Sequence, residues 1–425
     1  MFTIEEQAKK SRNSFLLLNG IGTQKKNEAV NNIADLIKRN QKEILAANNK
    51  DLLAARRNNL PESLYNRLGL NKKKIEQIIL SLKGVAALED PVGKVLMKRE
   101  LDDSLFLCKI VVPIGVIGVI FESRPDALVQ ISSLCVKTGN SAILKGGSEA
   151  LFTNRILFKY ITRGLLSVDK RFENALQLVE SRDDVKELLK YDKYIDLIIP
   201  RGSNSLVRMI KENTRIPVLG HADGICHLYV DKNADIEMAV KIAVDSKCQY
   251  PAVCNSIETL LVHSDIAKKY LPELLKKMPE VRLLGDSKVK KIIDVELAVE
   301  KDWSEEYNNL TLSIKVIESS EEAVNHINYY GSGHTDSIVT KDNKEAEYFL
   351  SAVDSSSVMW NCSTRFSDGY RYGFGAEVGI STNKIHARGP VGMEGLTIYK
   401  YRVTGNGNIV SDYTEGKSQF SIKDL

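Results

Sequence analysis

The chain has 425 residues, 27% of them charged and 43% in the hydrophobic set, with a mean hydropathy of −0.19. This is the composition of a soluble globular protein with room for about two or three domains. Fifty-nine lysines and arginines against 55 aspartates and glutamates leave a net charge of +4, too weak a field for a dedicated nucleic-acid binder, so a small molecule is the expected partner. No apolar run reaches the roughly 18 residues of a membrane span, and the N-terminus (MFTIEEQAKKSRNSF) lacks the apolar stretch of a secretory signal, so a cytoplasmic location is expected.

Apolar residues return at Val30, Ile33, Ala34, Ile37, Ile44 and Leu45, which predicts an amphipathic helix over 23–49 with Thr23 as N-cap; residues 71–82 repeat the pattern. The helical opening ends near Asp90-Pro91-Val92-Gly93. Residues 104–120 are apolar and β-branched, broken by Pro113 and Gly115, and read as two strands, the second buried on both faces. Strands at 115–120, 141–144, 176–179 and 195–199 then alternate with helices at 125–138, 148–166 and 182–190. This alternation predicts a parallel sheet covered by helices. It restarts after Ile225 with strands at 227–230 and 256–262, helices from 236 and over 266–277, and further strands near 310–316 and 337–340. The stretch LTIYKYRVT in the tail reads as a strand reaching to another subunit or domain.

Six cysteines are scattered without a C-x-x-C pair or zinc-finger spacing, so neither a disulfide scaffold nor a metal site is expected. Cys254 lies in a polar turn (CQYPAVCNSIET) just before an apolar strand, where a thiolate would be exposed and close to backbone N–H groups that could hold an oxyanion. Free cysteines are also common packing residues, and Cys248 shares the stretch, so the spacing leaves the nucleophile open. Lys145 and Gly146 end a strand in SAILKGGSE, and Gly202 and Ser203 follow another in IPRGSNS. Both junctions suit a dinucleotide's ribose or phosphate, and equally a plain connection or helix cap. Arg124, in FESRPDA, stands at a helix start with Pro125 near its first position, an arrangement that favours anions. The segments around Arg365 (STRFSDG) and Arg388 (GFGAEVGISTNKIHARGP) are long polar loops of a composition often used in sites.

Taken in order, VPIGVIGVIFESRPDA, GNSAILKGGSEA, IPRGSNSLV, YPAVCNSIETLLVH, YGSGHTDSIVT, STRFSDG and GFGAEVGISTNKIHARGPVG resemble the gamma-glutamyl phosphate reductase family of the aldehyde dehydrogenase superfamily across nearly the whole chain. The resemblance implies an α/β fold with a doubly wound cofactor domain, an α/β catalytic domain and a small β oligomerisation element. Its expected divisions are an NADPH-binding domain over 1–225 with a β-hairpin near 99–119 serving oligomerisation, a catalytic domain over 226–362, a return segment with substrate and cofactor loops over 363–392, and an oligomerisation tail over 393–425. The implied activity is NADPH-dependent reduction of L-glutamyl 5-phosphate to L-glutamate 5-semialdehyde, the second step of proline synthesis, by a homo-oligomer. The first step would come from a separate glutamate 5-kinase, since the chain begins directly with the reductase pattern.

Residue by residue, Cys254 matches the family's nucleophile, Lys145 the lysine that contacts the adenosine ribose, and Glu306 the glutamate that holds the nicotinamide ribose. Arg124 falls where aldehyde dehydrogenases usually place an oxyanion-stabilising asparagine, and Arg365 and Arg388 are candidates for phosphate and substrate carboxylate. Oxidative relatives carry a glutamate in a Leu-Gly-Gly context that activates water. Here the matching stretch, Val218–Gly224, reads VLGHADG without a glutamate, which suits an enzyme that must not hydrolyse its thioester, with His221 or Asp223 as conceivable substitute bases.

Overall fold

A computed structural model describes residues 3–221 and 223–425. Five helices open the chain: α1 (Ile4–Leu18), α2 (Thr23–Arg39), α3 (Gln41–Arg57), α4 (Glu62–Leu68) and α5 (Lys72–Ala87). The single helix expected over 23–49 is two, because Asn40 leaves the helical region (φ −111°, ψ 24°) and its side-chain amide donates to Leu36 O at 2.8 Å, closing the last turn of α2. Thr23 is the first helical residue and Gly22 the N-cap.

Next, β1 (Val95–Asp102) and β2 (Leu105–Pro113) form an antiparallel hairpin, so the hairpin expected near 99–119 starts earlier and stops at Pro113. The charged, half-exposed residues of β1 (KRELD) give it no apolar alternation of its own, and pairing with β2 makes it a strand. The following strand, β3 (Val116–Phe121), is buried along its whole length and belongs to a different sheet. There it is joined by α6 (Pro125–Thr138), β4 (Ser141–Lys145), α7 (Leu151–Leu166), β5 (Leu176–Val179), α8 (Arg182–Leu188), β6 (Leu197–Arg201) and α9 (Asn204–Glu212). The parallel order β5-β4-β3-β6 reverses direction at β3, which opens a crevice beyond the C-terminal ends of β3 and β6.

A second parallel sheet has the order β10-β9-β11-β8-β7-β12-β13. Its elements are β7 (Cys226–Val230), α10 (Ile236–Cys248), β8 (Ile257–His263), α11 (Ser264–Lys277), β9 (Arg282–Gly285), α12 (Ser287–Lys290), β10 (Glu296–Leu297), β11 (Thr311–Ile317), α13 (Ser320–Tyr330), β12 (Thr335–Val339), α14 (Asn343–Ala352) and β13 (Ser357–Trp360). The chain then returns to the first sheet. Ala376, Val378, Val391, Met393 and Leu396 are buried in the core that β3, β4 and α6 share with α2 and α5. The short pair β14 (Ile380–Ser381) and β15 (Gly389–Pro390) lies in this return. Finally β16 (Thr397–Thr404) pairs antiparallel with β2, and after α15 (Val410–Thr414) β17 (Lys423–Asp424) pairs with β1, so the tail strand expected to reach elsewhere completes an arm with its own chain's hairpin. No helix among the described residues is long and apolar enough to cross a membrane.

One buried ion pair ties α10 to the N-terminal end of β8, a central strand of the second sheet. Lys247, near the end of α10, donates to Glu258, at the start of β8, and both side chains are out of solvent. Burial pushes the Glu258 carboxyl up and the Lys247 ammonium down, while each partner's charge opposes the other's shift. Removing one partner strands a buried charge, so Lys247→Met is expected to cost about 3–5 kcal/mol and Lys247→Met with Glu258→Leu much less. Urea unfolding of the two variants checks this; equal losses would show that the pair does not hold α10 to β8.

Candidate active site

Cys254 sits half-buried in the turn between α10 and β8, and the loop around it is tied down along its length. Ser256 Oγ donates to Ser246 O at 3.2 Å, Asn255 Nδ2 to Ser367 O at 2.8 Å, Thr364 Oγ1 to Asn255 O at 2.7 Å, and Arg365 Nε to Gln249 Oε1 at 3.0 Å. Behind the cysteine lies Gly224. A Cβ there would fall 2.5 Å from both Cys254 Cα and Cys254 O, so only glycine lets the approach to β7 run this close. Cys226, the first residue of β7, donates its thiol to Cys254 O at 3.1 Å. Burial pushes the thiols of Cys226 and Cys248 up from the ordinary range, keeping both protonated.

β8, β7 and β12 are neighbours in the sheet, and the residues just before each of them meet at one edge: Cys254, Gly224 and His334. The His334 ring is fully buried and packs edge-on to His221 with centroids 4.9 Å apart. His221 Nδ1 donates to Ile380 O at 2.9 Å, and burial pushes the imidazole's pKa down, so the ring is neutral near pH 7. Asp223, the other conceivable base, is already committed: Arg208 Nη2 donates to both its oxygens (2.8 and 3.0 Å) and Asn204 Nδ2 to one of them (2.9 Å).

Opposite this edge lies the C-terminal edge of the first sheet. Asn204, at the start of α9, joins the two, its amide donating to Asp223 and also to Glu306 Oε2 at 2.8 Å. Lys145 ends β4 and is only 7% exposed; a Cβ on the next residue, Gly146, would come 2.2 Å from Asn154 Nδ2. Gly202 follows β6, and a Cβ on it would meet Glu122 Oε2 at 2.5 Å, the oxygen that accepts the Ser203 N–H at 2.9 Å. Ser203 is the N-cap of α9 but its side chain does not cap it; its hydroxyl meets Ser205 Oγ instead, at 3.1 Å. Lys145 and Gly146 at the end of β4 and Gly202 and Ser203 after β6 thus flank β3 on its two sides, and Asn204 links Glu306 to the β6 side.

The arginines divide. Arg124, exposed at the start of α6, and Arg201, at the end of β6, are electrostatic neighbours, and Arg201 also feels Cys254 and Glu377. Burial and then the Arg124 charge push the Arg201 guanidinium down; its ion pair with Glu377 spans 3.9 Å. Glu377 is itself pushed up by burial and accepts the Gly369 N–H at 2.8 Å. Arg365 is buried and also within the field of Cys254. Arg388 is instead engaged by Asp354, donating to its carbonyl at 2.9 Å and its carboxylate at 3.1 Å. Arg201, Glu377 and His334 lie within the motifs that carry the family resemblance, yet nothing local in the sequence distinguishes a residue that faces the Cys254 turn from one that faces solvent.

The aldehyde dehydrogenase family model matches residues 3–294. Gamma-glutamyl phosphate reductases of Acetivibrio thermocellus and Pelotomaculum thermopropionicum are each 56% identical to the chain, over 98% and 96% of its length and 97% and 95% of theirs. The crystal structure of the Thermotoga maritima gamma-glutamyl phosphate reductase is 40% identical and superposes with a TM-score of 0.93, covering 96% of this chain and all of that one. By sequence over its full length and by fold, the chain belongs to the aldehyde dehydrogenase family, in its group of gamma-glutamyl phosphate reductases, and is an oxidoreductase acting on an aldehyde.

Proposed function

We propose that the protein reduces L-glutamyl 5-phosphate to L-glutamate 5-semialdehyde with NADPH, through a thioester on Cys254, in the cytoplasmic synthesis of proline. The observation that carries this reading is a cysteine held in the field of Arg201 and Arg365, while the carboxylate of nearby Asp223 is tied to Arg208 and Asn204 and so withheld from activating water. Such a site favours arrival and departure of a phosphate over hydrolysis.

The crevice chemistry fits a phosphorylated dinucleotide. The α9 N-terminus, uncapped by its Ser203 side chain, offers N–H groups to a diphosphate, the Lys145 ammonium suits a ribose or 2′-phosphate, Gly146 and Gly202 keep the strand ends slim, and the Glu306 carboxylate accepts from ribose hydroxyls. The chemistry the bound cofactor supplies is hydride delivery to the thioester carbon. The chain's own residues do the rest. Cys254 thiolate attacks the acyl carbon, Arg124 and Arg201 stabilise the developing oxyanion and the departing phosphate, and Arg365 offers a charge-assisted fork to the substrate's carboxylate. After reduction the thiohemiacetal collapses, the C–S bond breaks, and Cys254 is restored. Arg388 acts, in this reading, by holding its loop to Asp354. On the arm, Ile398, Tyr399, Tyr401 and Val403 are 40–57% exposed, apolar surface that supports a homo-oligomer.

Run backwards with glutamate semialdehyde and NADP⁺, the reaction is expected to depend strictly on inorganic phosphate; equal rates without it would mean that water resolves the thioester, and the reading would fail. Cys254→Ala should abolish turnover while NADPH still quenches or shifts its fluorescence on binding, and surviving turnover would remove Cys254 from the mechanism. Gly224→Ala, which pushes on the Cys254 backbone, is expected to lower kcat by about 100-fold at unchanged NADPH affinity; unchanged kcat would show that the close approach does not position the thiol.

A further inference from the structure

The two histidines beside Cys254 have more nitrogen than the proposed reaction uses. One ligand atom each from His221, Cys254 and His334 lie within 4.8 Å of one another. Because His221 Nδ1–H donates a hydrogen bond to the Ile380 carbonyl, the Nε2 of the neutral ring carries a bare lone pair. His334 Nδ1 meets Thr335 Oγ1 at 2.8 Å, and its Nε2 is buried with no hydrogen-bond partner among the described residues. Leaving such a nitrogen unsatisfied in the interior has a cost, and it is the kind of group that an unseen ligand accounts for. A metal-bound histidine characteristically engages its other nitrogen in this way, with a backbone carbonyl or a polar neighbour fixing the ring.

We propose that His221, Cys254 and His334 form a binding site for a thiophilic divalent cation of the zinc class, and that an ion there blocks Cys254. Two imidazoles and a thiolate are a zinc donor set with the fourth tetrahedral position open to water. Bond lengths of about 2.0–2.3 Å require donors roughly 3.3–3.8 Å apart, so side-chain shifts of about 1 Å close the site. On binding, the Cys254 thiol loses its proton to solvent, one metal–sulfur and two metal–nitrogen bonds form, and no electron is transferred. Glu306 and Glu377 near His221 offset the charge that Arg201 brings. The ion and the acyl group compete for one sulfur, so metal occupancy would gate the enzyme reversibly. That consequence rests on Cys254 being the nucleophile, while the binding itself does not.

The test is direct. Co²⁺ titrated into metal-stripped protein should produce thiolate-to-cobalt charge-transfer absorption that saturates at one ion per chain and is absent in Cys254→Ser. His334→Asn, or His221→Asn should the buried position not tolerate change, is expected to weaken Co²⁺ binding by at least about 10–100-fold. Zn²⁺ should slow iodoacetamide alkylation of Cys254 by at least tenfold, read by peptide mass spectrometry, while Cys108, Cys248 and Cys362 react as before. Absorption that survives in Cys254→Ser, or equal protection of all four cysteines, would overturn the site. Protein with phosphate-dependent turnover that develops no charge-transfer band when titrated with Co²⁺ would overturn the metal site alone and leave the reductase reading standing.

Discussion

The position of the Cys254 turn depends on the buried pair between Lys247 and Glu258, which ties the end of α10 to the start of β8 and so fixes both ends of the loop between them. A loop of this length would otherwise sample many conformations, and a nucleophile must meet its substrate within a fraction of an ångström. The pair is reinforced from the return segment, where Ser363, Thr364, Arg365 and Ser367 bond to the loop or to the α10 residue beneath it. Gly224 sets the remaining boundary, since the absence of a Cβ lets the chain entering β7 lie directly against the cysteine.

Two parallel sheets meet with opposite polarity at this point. The first offers the C-terminal ends of β3, β4 and β6, where a switch in strand order leaves a crevice and where α9 presents its N-terminus. The second offers the N-terminal ends of β7, β8 and β12, so Cys254 stands across from the strand ends of the first. Asn204 spans the gap, and the segment after β13 crosses back to bury Val378 and Val391 in the first core. That return explains how Glu377, far along the chain, comes to face Arg201 at the end of β6.

Charge is handled differently on the two sides of the cysteine. Toward solvent and the first sheet there are guanidiniums, partly desolvated and therefore strong attractors of a phosphate or an oxyanion. Toward the interior there are the neutral imidazole of His221 and the protonated thiols of Cys226 and Cys248, whose charged forms burial disfavours. A site so divided fits the acyl-phosphate exchange proposed for Cys254, and it leaves nitrogen and sulfur donors gathered on the side away from the guanidiniums.

The sequence by itself determined the alternation of strands and helices, because burial on one face or two writes its period into every ten or so residues. It also displayed the chemistry-bearing motifs in order, with Cys254 in its turn and Lys145 and Gly202 at strand ends. It was silent where the local pattern is weak: β9 and β13 are four residues each, and Asn40 breaks a helix whose apolar spacing continues across it. What only the tertiary structure decided was company. His221 beside His334, Arg201 beside Cys254 and Glu377, Asp223 disarmed by Arg208, and Arg388 engaged by Asp354 all join residues from separate strands or loops. Such pairings follow from which sheet edges pack together, a global balance of buried area and chain connectivity that no local stretch of residues encodes.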